Sequence, residues 1–142
     1  MGVTIESKNY SIDIGYVGFK RLRTKIAELT TEEIAKHYKH LDDAPRFGDS
    51  SRYLFFDSYD KKIEELDKKY DYKYDEVLDF LYASDCNAEI PYTHCEKIYE
   101  LIKDYDDNIL YGYVGRPDCA RFVDFKNLVK DCIDNKCSME WW

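Results

Sequence analysis

The chain has 142 residues, enough for one domain that buries about two-thirds of the surface its unfolded form exposes. Its 21 basic and 29 acidic residues give a net charge of −8, which excludes phosphate-backbone binding as its main work, since such binding draws on many Lys and Arg contacts. Hydrophobic content of 44% with 35% charged residues is that of a globular chain and not a disordered one.

Val3 and Ile5, then Tyr10, Ile12 and Ile14, alternate with polar residues, the period of a half-buried strand or hairpin, with Ser7, Lys8 and Asn9 as the turn. Past Gly15-Tyr16-Val17-Gly18 the period becomes helical, and Phe19, Leu22, Ile26 and Leu29 predict a first helix over about 19–29. Thr30 and Glu33 fit a capping box for a short second helix carrying Ile34, Tyr38 and Leu41. DDAPRFGDSS reads as a loop, and from Ser51 the residues Leu54, Phe55, Phe56, Tyr59, Ile63, Leu66 and Tyr70 predict the longest helix.

Val77, Phe80 and Leu81 suggest a fourth helix. Thr93 and Glu96 form a second capping box ahead of the stripe Cys95, Ile98, Tyr99 and Ile102. Pro117 is placed as a first helical residue, with Asp118 near the positive end of the dipole, before the stripe Phe122, Phe125, Val129 and Cys132. In the tail, Cys137, Met139 and Trp141 alternate and predict a last strand that pairs with the N-terminal one. The expected fold is a single α+β domain over 1–142, mostly helical with about six helices, and a small sheet from the terminal segments, joined by Ile109 to Val114.

No basic n-region, no signal-length apolar run and no window of about 18 apolar residues occurs, so a cytoplasmic protein without a membrane contact is expected. Five Cys (Cys86, Cys95, Cys119, Cys132 and Cys137) at irregular spacing suit reduced thiols better than a disulfide framework. Gly2 invites the myristoylation pattern, but Glu6 stands where that pattern needs Ser or Thr.

Three stretches, SIDIGYVGFKRLRTKIAEL, DFLYASDC and IKDYDDNILYGYVGRPDC, resemble blocks of an uncharacterised small-protein family of Firmicutes and of their phages and integrative elements. The likeness runs along nearly the whole chain. It implies a setting, since accessory genes of mobile elements often act on host defence or element transfer, and it carries over no catalytic or binding residue.

Two GYVG tetrapeptides each precede an expected helix. Glycines there let backbone N–H groups face an anion, and Arg21 and Arg116 follow the two copies. Gly15, Gly18, Arg21, Gly112, Gly115 and Arg116 are therefore candidate ligand-binding residues for a nucleotide or other small anion. The plainer reading is that glycine permits the turns; neither copy completes a Walker loop or a dinucleotide fingerprint. Lys20, Arg21, Arg23 and Lys25 lie off the Phe19, Leu22 and Ile26 stripe and read as a solvated face.

His37 and His40 are three apart, but no third and fourth ligand accompanies them, and the Asp104 to Asn108 run has Ile109 where a calcium loop needs Gly. No metal and no cofactor is expected. His94 beside Cys95 points about 100° away from it on a helix, so no catalytic residue is nominated. The 14 Tyr are the compositional oddity. Tyr70, Tyr72 and Tyr74 are interleaved with Asp and Lys, and Tyr111 and Tyr113 bracket a glycine, which makes these five the candidate interaction surface. The leading expectation is a non-enzymatic accessory protein of a phage or mobile element that binds a host protein, in a defence system for example. A small-anion binder at the glycine turns and an enzyme of unknown type are the alternatives.

Overall fold

The alternation at the start of the chain is realised as a hairpin in the computed structural model, which describes residues 2–113 and 119–142. Strands β1 (Gly2–Glu6) and β2 (Ser11–Gly15) pair antiparallel, with Val3 opposite Ile14 and Ile5 opposite Ile12, so four apolar side chains share one buried face. Helix α1 (Tyr16–Thr30) follows without a turn, three residues earlier than its stripe suggests. Gly18 thus lies inside its first turn: a Cβ at Gly18 would stand 1.8 Å from the carbonyl oxygen of Tyr111.

Helix α2 (Glu32–Lys39) is capped by Thr31, whose hydroxyl accepts from the Ile34 N–H at 3.1 Å. The expected Thr30 to Glu33 box is corrected by one residue, because Thr30 still belongs to α1 and donates to the Ala27 carbonyl. A 3₁₀ turn (His40–Asp43) and a loop lead to α3 (Ser51–Lys69), the longest helix with 19 residues. Asp71 and Tyr72, both at positive φ, turn the chain into α4 (Asp75–Tyr82). Strand β3 (Ala88–Ile90) precedes α5 (Tyr92–Ile102), which Pro91 opens; the expected Thr93 box does not form, since Pro91 already fixes the entry. Helix α6 (Phe122–Asn135) starts beyond Pro117, which with Asp118 lies outside the described residues, and the Asp124 carboxylate accepts the Arg121 N–H at its entry.

Strand β4 (Met139–Trp141) enters between β1 and β3, giving an antiparallel sheet in the order β2-β1-β4-β3. The terminal strands pair as expected. The third contributor is β3, a correction of the expected Ile109 to Val114 segment: Leu110 makes only a bridge with Arg121, and Val114 lies outside the described residues. Six α-helices among the described residues and this sheet make the α+β, mostly helical architecture. No helix among the described residues is long and apolar enough to cross a membrane.

Trp141 of β4, on the buried face of the sheet, packs edge to face with Phe19 and Phe80, and those two with each other, at centroid distances of 5.3 to 6.3 Å. Asp131 on α6 ties the hairpin turn to the helices, accepting from the Ser7 hydroxyl and from the Asn9 N–H and side-chain amide at 2.7 to 2.9 Å.

On the opposite face, strand register sets Glu140 directly across from both Glu6 and Glu89. Like charges abreast oppose sheet formation. Glu140→Lys is expected to raise the unfolding free energy by about 0.5 kcal/mol or more at low salt, with the gain shrinking in 1 M salt. Equal stability in urea melts at both salt concentrations would show that the row carries no strain.

Candidate functional site

Helix α1 presents Tyr16, Phe19, Lys20 and Arg23 along one side, a spacing that places them above one another. Tyr38 and Leu41 from the α2 region, Phe56, Tyr59, Asp60 and Ile63 from α3, and the end of α4 close a cleft of about 490 Å³ against that side. Six aromatic rings line it.

Arg23 is the unexpected member. The basic island was expected to be solvated, yet Arg23 is only 5% exposed. Its guanidinium stacks on Phe19 at 4.1 Å and donates to the carbonyls of Leu81, Ala83 and Ser84 at 2.9 to 3.2 Å, closing the C-terminal end of α4. The same Ser84 carbonyl accepts from the Trp141 indole at 2.9 Å. Burial lowers the Arg23 pKa from its usual value, partly offset by Tyr38. Arg23 forms no ion pair among the described residues, and its Nε is buried without a partner. Lys20 and Arg21 remain exposed, as the island reading expects, and Lys20 pairs with Asp42.

Behind the cleft, His37 stacks on Tyr59 at 4.0 Å and is fixed at both ring nitrogens. Nε2 lies 3.1 Å from the Tyr59 carbonyl, which can only accept, so Nε2 carries the proton and Nδ1 accepts from the Tyr82 hydroxyl at 2.7 Å. Burial pushes the His37 pKa down, in keeping with this neutral form. Burial likewise pushes the phenols of Tyr38, Tyr59 and Tyr82 up, so they stay protonated hydrogen-bond donors at neutral pH. The Tyr59 hydroxyl, close to that of Tyr82, has no well-aligned hydrogen bond.

Outside the cleft, α3 buries only Tyr59 and Leu66. Phe47 is 94% exposed, Tyr53 76% and Leu54 67%. Arg52 lies over the rings of Phe47 and Phe56, and Phe55 packs on Phe56, so the apolar groups at the start of α3 form a continuous surface.

The two glycine motifs meet through packing. Gly18 abuts the Tyr111 carbonyl, and a Cβ at Gly112 would stand 2.4 Å from the Ala120 nitrogen and 2.9 Å from the Asp13 carbonyl oxygen. Gly15 caps α1 without a side-chain bond, and the Arg21 guanidinium lies 6.0 Å above the Tyr111 ring. Gly115 and Arg116 lie outside the described residues.

Of the expected tyrosine surface, Tyr111 is corrected to a core residue, 2% exposed, with its hydroxyl donating to Asp107 at 2.6 Å. Tyr70 and Tyr74 are half-buried stitches, bonded to Glu33 and to the Thr30 carbonyl, and Tyr113 sets its hydroxyl against Gly2. Tyr72 is 53% exposed.

His40 turns to Asp43, His94 to Asp79, and Cys86 is exposed beside Asp85, so none of the three histidines serves a thiol. All five cysteines are free thiols; Cys132 lies beside Cys95, and that contact and burial push its thiol up. Comparison with protein-family models, curated proteins and solved structures finds no match.

Proposed function

We propose that the protein works by binding another protein and not by catalysis, as an accessory protein of a phage or mobile element acting on a host protein, such as a component of a defence system. The exposed start of α3 is the docking surface in this reading. The observation that supports it is the exposure of Phe47, in the loop before α3, together with Tyr53 and Leu54 in the first turn of a helix that buries only two of its 19 residues. Contiguous apolar surface of this kind is costly in water and marks interaction sites, and large aromatic side chains carry much of the energy at protein interfaces. This moves the docking surface from Tyr70, Tyr72, Tyr74, Tyr111 and Tyr113 to residues 47–56, where the large apolar groups are the more exposed.

The test compares the wild-type chain with a Phe47→Ser, Tyr53→Ser, Leu54→Ser triple variant in capture from a Firmicutes lysate, with reconstitution from purified components. A discrete protein held at a defined stoichiometry by the wild type, and at least tenfold more weakly by the triple variant at unchanged melting temperature, is the expected result. Equal retention by both chains would remove this surface from the function.

A further inference from the structure

We propose that the cleft between α1, α2, α3 and the end of α4 is a binding site for a small aromatic anion, a planar ring bearing a carboxylate or phosphate. The site is separate from the outer face of α3 and stands without the protein-binding reading.

Three features of the cleft define the ligand. Its size of about 490 Å³ is that of a pocket for a mononucleotide-sized molecule. Its walls are rings, Tyr16, Phe19, Tyr38, Phe56, Tyr59 and Tyr82, which favour a flat apolar body. Its buried cation lacks a counter-ion: the Arg23 guanidinium lines the cleft without an ion pair among the described residues, and its Nε–H has no well-aligned acceptor. A buried donor without an acceptor is costly, and a buried guanidinium without a carboxylate more so. A ligand that brings an anionic oxygen to the guanidinium supplies the missing counter-charge.

Helix α1 adds to this preference. Tyr16 and Val17 of its first turn line the cleft and that turn holds no acidic residue, so the positive end of the helix dipole lies beside the cleft without a carboxylate from the helix itself. A cationic ligand would meet the aromatic walls as well, but Arg23 already occupies the face of Phe19 that a cation would seek. Asp60 and Asp85, both exposed at the rim, act against an anion and supply the means of testing its sign.

The test is calorimetric titration of the full chain with AMP and with indole-3-acetate, and with adenosine, tryptamine and inorganic phosphate as controls. At least one of the two ring-bearing anions should bind at least tenfold more tightly than its uncharged or cationic counterpart and more tightly than inorganic phosphate. Preference for AMP assigns a phosphate, and preference for indole-3-acetate a carboxylate. Asp85→Asn, at the exposed rim, should tighten the anion about threefold, the size of an exposed charge interaction. Phe56→Ala should weaken it tenfold or more. No binding by either anion, tryptamine binding as tightly as indole-3-acetate, or an affinity indifferent to Asp85→Asn would each overturn the assignment.

Discussion

Replacing Arg23 with Met should lower the unfolding free energy by about 3 kcal/mol, because three carbonyls lose a charged donor and each such bond contributes about 1.5–3 kcal/mol before the cost of burying the charge is subtracted. Three carbonyls at the end of α4 would lose their donor inside the protein, and the Phe19 ring its stacked partner. The Trp141 indole would be left alone to hold the Ser84 carbonyl. Arg23→Lys should recover little, because an ammonium cannot span three carbonyls from one plane. Urea denaturation at neutral pH measures the loss. A cost under about 1 kcal/mol would show that the cap on α4 is dispensable and that water can take its place.

Gly18→Ala should destabilise by about 3 kcal/mol, the upper part of the range for overpacking. Helix propensity alone predicts the opposite sign, because alanine exceeds glycine by about 1 kcal/mol in a helix. The obstacle is backbone: the new methyl would sit 1.8 Å from the Tyr111 carbonyl oxygen, and α1 would have to part from that segment. Val17→Ala, one residue away and 75% exposed, should stay within about 0.5 kcal/mol of wild type. A stabilised Gly18→Ala chain in thermal and urea melts would place α1 and Tyr111 further apart than described here.

These two positions also mark the limits of the sequence. Apolar period located α1, α5, α6 and the terminal strands because each buries one face over enough residues to show its repeat, and it located α3 although most of that repeat stays unburied. The start of α1 was hidden because glycine at 15 and 18 reads as a turn, whereas Gly18 answers to a carbonyl almost a hundred residues away. Strand β3 buries fully only Ile90 and so shows no alternation, whereas Met139 and Trp141 mark β4. The choice between Thr30 and Thr31 as cap depends on where α1 stops, which adjacent threonines cannot reveal.

Arg23 had a legible signal. It stands four residues after Phe19 and three before Ile26, inside the stripe formed by Phe19, Leu22, Ile26 and Ala27. Its charge, in a run with Lys20 and Arg21, drew it to the solvent side of the reading. The cleft itself joins residues from α1, α2, α3 and α4, and no periodicity reports such convergence. The exposed face of α3 was invisible for the opposite reason, since its apolar spacing promises burial that the fold does not supply.

The position of β4 between β1 and β3 also governs the order in which the molecule can assemble. Ile5 finds Trp141 only by closing a loop of nearly the whole chain, and such distant pairings are entropically late. During synthesis the hairpin and all six helices of the described residues emerge while the strand that joins β1 to β3 is still missing. Phe19 and Phe80 then wait with one side uncovered until Met139, Glu140 and Trp141 arrive, so the centre is sealed only after every helix around it has been made.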